Sequence, residues 1–116
     1  MRRFALVLLC FTPVFAFAQD GWQRLDGAQI RVALTDRVLH YANATQDFRR
    51  SGKTLYTYKG RDSWGYWRIE NDQYCSQWPP NDLWACYDLE RRNEVLRFVG
   101  TSDDITEAVY AEPAAE

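Results

Sequence analysis

Apolar and polar residues alternate along most of the chain, in short runs separated by turn residues. A period of two is typical of β-strands that bury one face. The runs cover residues 37–42, 53–59, 64–70, 73–78, 83–91, 94–99 and, more weakly, 105–110. Residues 43–52 are polar and predict a connecting segment. Closely spaced strands with polar turns predict a mainly β protein, an antiparallel meander of about six to seven strands that forms a curled sheet or small barrel.

One segment before the first strand has a helical period instead. Asp26 can cap a helix, and Gln29 stands three residues on, which is the spacing of a capping box. Ile30, Ala33 and Leu34 then fall on one helical face. We therefore expect one short N-terminal helix that depends on packing against the sheet.

The turns between the strands predict which residues face each other. A two-residue loop at 71–72 sets Arg68 opposite Cys75, and a four-residue loop at 79–82 sets Cys75 opposite Cys86. Directly opposed residues of an antiparallel pair have Cβ atoms about 4.5–5.5 Å apart, close enough for a disulfide after slight adjustment.

A third hairpin, with its turn at Arg92-Asn93, sets Asp88 opposite Arg97 on the solvent side of the sheet. All three hairpins assign the same residues to the core face. Because a slip of one residue would mix the faces, this agreement supports the predicted register. The predicted core face consists of Trp67, Ile69, Tyr74, Trp78, Leu83, Ala85, Tyr87, Leu89, Leu96 and Phe98. The opposite face carries Tyr66, Arg68, Glu70, Gln73, Gln77, Trp84, Asp88, Arg97 and the two cysteines.

The first 18 residues have the composition of a secretory signal peptide. Arg2 and Arg3 precede an apolar run that is shorter than the ~20 residues of a membrane span, and small residues end it at Ala18. We expect cleavage after Ala18, a single β-rich domain over 19–110 and a disordered acidic tail over 111–116. The predicted location is periplasmic or secreted.

Charge narrows the range of partners. Removal of the signal leaves twelve basic and sixteen acidic residues, a net charge of −4. A negative domain lacks the basic surface that nucleic-acid binding requires, and it does not favour an anionic membrane. The expected partner is a small ligand or an exported protein, with no nucleic acid and no stable membrane anchor.

Two cysteines, Cys75 and Cys86, remain after the signal, and export places them where disulfides persist. The only histidine, His40, is distant from them in sequence, so no metal site is predicted. No motif for a cofactor is present, and we expect none.

Few residues suggest catalysis. His40 has Asp36 four residues before it, and carboxylates pair at 103–104 and at 70 and 72. These carboxylates lie in or next to predicted turns, where acidic side chains are commonly solvated or act as caps. The sequence therefore favours a protein without catalytic activity over a hydrolase.

Three segments together resemble the signature of an uncharacterised family of small exported proteins of Gram-negative bacteria. They are Gly65-Tyr66-Trp67, Tyr74-Cys75-Ser76-Gln77-Trp78-Pro79-Pro80 and Trp84-Ala85-Cys86-Tyr87. The resemblance implies a secreted β-rich domain with one disulfide. It brings no catalytic residues with it.

Aromatic residues suggest a binding role. Tyr66, Trp84 and Arg68 share the predicted outer face, beside a stiff Pro-Pro loop that holds Asn81 and Asp82. These five are the candidate binding residues, unless Trp84 packs under a neighbouring segment. We expect an exported non-enzymatic binding module for a small ligand, a cell-wall fragment or a protein. The alternative is an inhibitor or immunity factor that acts on an exported hydrolase.

The pairing of Cys75 with Cys86 can be checked on the exported protein. We expect that denatured, unreduced protein takes up no thiol-alkylating reagent and that reduced protein takes up two equivalents, measured by intact mass spectrometry. Two labels without reduction would contradict the pairing.

Overall fold

The computed structural model describes residues 21–111, which contain nine strands and one helix. In chain order these are β1 (Gln23–Arg24), α1 (Gly27–Leu34), β2 (Arg37–His40), β3 (Ala44–Phe48), β4 (Lys53–Tyr58), β5 (Arg61–Glu70), β6 (Gln73–Gln77), β7 (Trp84–Arg92), β8 (Val95–Val99) and β9 (Ile105–Tyr110). The mainly β, antiparallel prediction is confirmed, whereas the count of six to seven strands is too low.

Eight of the strands close into a barrel. The order runs from β7 through β6, β5, β4, β3, β2 and β9 to β8, and β8 pairs back with β7. All neighbours are antiparallel. The short β1 pairs with the last residues of β7. It lies on the same edge of β7 as β6, which pairs with the first residues of that strand. Closure gives the sheet an inner and an outer face.

The first two predicted hairpins have the predicted register. Arg68 lies opposite Cys75, and Cys75 lies opposite Cys86. The two cysteines form a disulfide with an S–S distance of 2.04 Å and a Cα–Cα distance of 4.0 Å. The bridge therefore joins β6 to β7 on the outer face of the barrel.

The register of the third hairpin was predicted wrongly. The turn uses residues 93–94, so Arg97 lies opposite Glu90, not Asp88. Asn93 has a φ of 54°, in the left-handed region that asparagine tolerates better than most residues, which favours it as a loop residue. The partners shift by two positions, and the side chains therefore keep the faces that were predicted for them.

Strand β3 lies within a segment predicted to be a connection. Its central residue, Gln46, points into the barrel although it is polar, and this hides the alternation in the sequence. Gln46 is only 4% exposed. It accepts a hydrogen bond from the Tyr41 hydroxyl (2.6 Å) and donates to Thr54 (2.8 Å). Partners inside the barrel offset the cost of burying the amide.

Two residues assigned to the core face lie outside the core. Leu83 is 73% exposed and Ala85 is also exposed. Leu83 belongs to the loop between β6 and β7, beyond the end of both strands, and Ala85 is the second residue of β7. A side chain that points into the barrel is buried only where other groups fill the barrel at the same level.

An aromatic layer crosses the middle of the barrel. The Phe48 ring meets Trp67 and Tyr74 edge-on, with centroids 5.7 Å away in each case. Phe98 stacks on Phe48 at 6.4 Å and meets Tyr74 at 5.0 Å. Offset and edge-to-face contacts of this kind add to the stabilisation that burial provides.

Helix α1 covers one end of the barrel. The predicted capping box is present, because Asp26 accepts from the Gln29 amide and the Gln29 side chain accepts from the Asp26 amide. Ile30, Ala33 and Leu34 are buried against the core, as the helical period predicts. The helix therefore forms the closed end of the barrel.

Two polar contacts hold the helix in place. The backbone amide of Gly27 donates to the Asp72 carboxylate in the β5–β6 turn at 2.7 Å. The hydroxyl of Tyr110, at the end of β9, donates to the carbonyl of Ala33 at 2.7 Å. Each contact joins the helix to a different side of the barrel.

The predicted signal peptide and residues 112–116 of the predicted tail lie outside the described residues. Ala111 is described, and its amide donates to the carbonyl of Val38 at 3.0 Å. Within residues 21–111, no helix has both the length and the apolar character needed to cross a membrane.

The role of α1 as a plug can be measured. Leu34→Ala removes a fully buried side chain and should lower the free energy of unfolding by about 2–5 kcal/mol, measured by urea denaturation. The control Val32→Ala lies on the same helix at a position that is 80% exposed, and it should change the value by less than about 0.5 kcal/mol. Equal effects would contradict this packing.

Candidate functional site: the cavity at the open end of the barrel

The end of the barrel opposite helix α1 is open. Four loops surround it, formed by residues 41–43, 59–60, 78–83 and 100–104. The closed end carries the turns at 49–52, 71–72 and 93–94. Because the aromatic layer lies between the two ends, the barrel has the form of a cup.

A cavity of about 450 Å³ occupies this cup. Rings form most of its wall, and they belong to Tyr41, Tyr56, Tyr74, Trp78, Tyr87 and Phe98. Polar groups lie between the rings, and they belong to Gln46, Ser63, Ser76, Asp104 and Thr106. The wall therefore offers both ring faces and hydrogen-bonding groups, with one carboxylate among the described residues that form it.

Hydrogen bonds fix the inner part of the wall. Gln46 accepts from Tyr41 and donates its amide hydrogens to Thr54 and to the Tyr74 hydroxyl, the latter at 3.1 Å. The hydroxyl of Thr54 donates in turn to the backbone carbonyl of Asp47. The network spans β3, β4 and β6 and holds the tyrosines in fixed orientations.

Burial keeps the wall tyrosines neutral. It raises the pKa of Tyr74 to about 12 and raises the pKa of Tyr41 strongly. Both hydroxyls therefore stay protonated to a higher pH than an unperturbed tyrosine does. The pKa of Tyr87 is raised first by burial and then by the nearby negative charge of Asp104.

Trp78 shapes one side of the cavity, and Gly65 makes room for it. A Cβ atom on Gly65 would lie 2.6 Å from Cε3 of the Trp78 ring, which no side chain permits. The ring contacts Tyr56 edge-on at 6.0 Å, and its Nε1 donates to Ser76 at 3.2 Å. The glycine of the Gly65-Tyr66-Trp67 segment therefore allows the indole to lie against β5.

The mouth of the cavity widens on one side. Strand β9 pairs with β2 only at residues 109–110, so its first residues have no partner on that side. A hollow lies there, with Tyr58, Ile105 and Glu107 in its wall. It adjoins the main cavity through shared wall residues, Tyr41, Tyr56 and Thr106.

The predicted outer-surface residues share one face of the barrel. Tyr66 is 45% exposed. The guanidinium carbon of Arg68 lies 3.9 Å from the ring centroid of Trp84, and its Nη2 lies 3.1 Å from a carboxylate oxygen of Glu70. Trp84 is half-buried, and the Arg68 guanidinium lies over its ring.

The two loop residues of the predicted site organise their own loop. The side-chain oxygen of Asn81 accepts from the amide of Leu83 at 2.8 Å. The backbone carbonyl of Asp82 accepts from the Gln77 side chain at 2.8 Å. A binding role for Trp84, Tyr66, Arg68, Asn81 and Asp82 stays a prediction.

The catalytic candidates do not come together as pairs. Asp36 binds Arg50, with the nearest atoms 2.8 Å apart, and this guanidinium holds the pKa of Asp36 below its usual value. His40 is exposed at the end of β2. Asp36 therefore serves an ion pair at the closed end of the barrel and does not orient the histidine.

The two candidate carboxylates next to the β5–β6 turn have structural partners. Glu70 pairs with Arg68, whereas Asp72 accepts from the first amide of helix α1. In residues 21–111, the one grouping of possible metal ligands combines Glu70 with Cys75 and Cys86. Both sulfurs belong to the disulfide, so they are not thiolate ligands.

Comparison of the chain with protein-family models, curated proteins and solved structures finds no match. The resemblance to a family of exported proteins stays a prediction.

Sequence reasoning placed the site on the outer face and missed the cavity. The sequence did carry a signal for the cavity, in the residues whose side chains point into the barrel. Towards the open end, inward positions carry tyrosine, glutamine or serine, as at Gln46, Tyr56, Ser63 and Ser76. Polar inward residues at one end of a barrel indicate that this end is not packed solid.

The neutral state of the wall tyrosines can be tested through stability at alkaline pH. The pKa of Tyr74 is 10.0 when unperturbed and about 12 in the fold. The unfolded state therefore ionises first, and stability falls as pH rises from 10 to 12. Tyr74→Phe should lower the slope of unfolding free energy against pH by up to about 1.4 kcal/mol per unit, measured by urea denaturation.

Tyr66→Phe is the matched control, because it removes a hydroxyl from the outer surface. It should leave the slope unchanged. If Tyr74→Phe has the same slope as the unmodified protein, the Tyr74 hydroxyl is not buried in this way.

Proposed function

We propose that this protein is an exported, non-enzymatic binding protein that holds a small ligand in the cavity of its barrel. The observation that carries the proposal is the open cavity of about 450 Å³, walled by six aromatic rings. Its volume falls within the roughly 300–1,000 Å³ of typical small-molecule sites.

The composition of the wall supports binding. Ring faces accommodate an apolar or planar group, and the hydroxyl and amide groups between them give orientation and specificity. The Gln46 network and barrel closure hold these groups in place without a ligand. A site organised in advance loses little entropy when a ligand enters.

The same composition favours binding over catalysis. Among the described wall residues, Asp104 is the only carboxylate, and no histidine, lysine or free cysteine belongs to the set. A hydrolytic reaction ordinarily needs a nucleophile with a base, or two carboxylates across the scissile bond.

One observation favours the alternative function, an inhibitor or immunity factor. Leu83 is 73% exposed on the loop between the two strands that the disulfide joins. An exposed apolar side chain on a constrained loop suits contact with a protein. The cavity plays no part in this alternative, so the two functions can be separated by experiment.

Two aromatic probes of nearly equal shape test the proposal, neutral phenethyl alcohol and cationic phenethylammonium. Either one should shift backbone amide resonances of cavity residues in NMR titrations, with dissociation constants on the order of millimolar for ligands of this size. Ser63→Phe, on the inner face of β5, should fill the cavity and abolish the shifts.

Thr57→Phe is the matched control, since it adds the same ring on the outer face of β4. It should leave binding unchanged within about two-fold. The proposal is wrong if neither probe shifts cavity resonances, or if Ser63→Phe binds both as well as the unmodified protein does.

A further inference from the structure

We propose that the ligand of the cavity is a small organic cation whose ammonium group binds at Asp104 and whose body lies among the aromatic rings. This inference rests on the proposed binding function and specifies its ligand class. Three features of the open end carry it: the position of Asp104, the rings beside it and the distribution of charge.

Asp104 lies at the mouth, held against the wall. Its carboxylate lies beside Tyr87, and its negative charge contributes to the raised pKa of that tyrosine after burial. The backbone amide of Gly100 donates to the Asp104 carbonyl at 2.7 Å and closes the β8–β9 loop. A Cβ atom on Gly100 would lie 3.0 Å from the carboxylate and 2.8 Å from the Tyr87 ring, so only glycine leaves room for this contact.

Asp104 is exposed to solvent on its other side. Its carboxylate therefore keeps acceptor capacity on the side that faces the mouth. An ammonium group that approaches from the mouth can pair with this oxygen while its substituents enter the cavity. Hydrogen bonds between charged partners are about twice as strong as those between neutral ones.

The rings of the wall suit a cation as well as an apolar body. An ammonium within about 6 Å of a ring centroid is attracted by the negative face of the ring. The rim already shows this contact, because the Lys59 ammonium lies 5.3 Å from the centroid of Tyr58. Inside the cavity, Tyr41 and Tyr56 lie with their centroids 6.1 Å apart.

Charge is distributed unevenly between the two ends of the barrel. The loops and strand ends around the mouth carry five carboxylates against two basic side chains. The carboxylates are Asp62, Asp82, Asp103, Asp104 and Glu107, and the basic residues are Lys59 and Arg61. The other described residues carry ten basic and eight acidic side chains. The mouth is therefore the negative end and attracts cations.

The same pair of probes tests the ligand class. Phenethylammonium should bind about ten-fold more tightly than phenethyl alcohol in about 0.1 M salt, because it adds the contact with Asp104 and the attraction of the rings. Asp104→Asn should reduce this preference to about two-fold, because phenethylammonium loses more affinity than the alcohol does. NMR titration or isothermal calorimetry measures both affinities.

Asp103→Asn is the matched control, because it removes the same charge one residue away and Asp103 does not line the cavity. It should keep at least about half of the preference, since exposed charges at a distance are screened. Equal losses in the two variants would overturn the placement of the ammonium at Asp104.

The outcomes separate this inference from the proposed function. If both probes bind in the cavity with equal affinity, the cation class is wrong and the binding function stands. If neither probe binds there, both fail. If the alcohol binds more tightly, the ligand class is neutral and the inference is overturned.

Discussion

Pairing between β7 and β8 is the constraint on which the rest of the structure depends. It closes the sheet into the eight-stranded barrel, so that every strand has one inward row of side chains. The inward-facing side chains must then form both the packed core and the wall of the cavity. Helix α1 fills one end with apolar side chains, and the layer around Phe48 ends the packed part. Beyond that layer the interior stays open.

The types of residue that point into the barrel determine where the packed core ends and where the cavity begins. Leu39, Phe48, Leu89 and Leu96 belong to the packed core and are buried. At the open end the inward positions hold tyrosine, serine and glutamine, whose polar atoms need partners or solvent. The disulfide and the Trp78 indole, which lies against Gly65, stabilise the β6–β7 side of the mouth. The architecture thus supplies a rigid, aromatic, acidic opening.

The sequence alone predicted the helix, its capping box, two hairpin registers and the disulfide, because each depends on local spacing. It did not predict β3, since the inward Gln46 acquires its partners only when Tyr41, Thr54 and Tyr74 converge in the closed barrel. The third hairpin was shifted by two residues because its turn begins at Asn93, which has a positive φ, and not at Arg92. The cavity was missed because alternation reveals which side chains point inward but not whether they meet. Trp84 was expected to be free or covered by a segment, and the Arg68 side chain covers it.

Intermolecular nuclear Overhauser effects between phenethylammonium and the unmodified protein test the central claim most directly. Transfer requires close approach between protons of the probe and protons of the protein, so the measurement locates the probe without any substitution. The account predicts transfer from the ring of the probe to Tyr56 and Trp78, and from its methylene next to the nitrogen to Tyr87. Transfer only to Trp64 and Tyr66 on the outer face would contradict it.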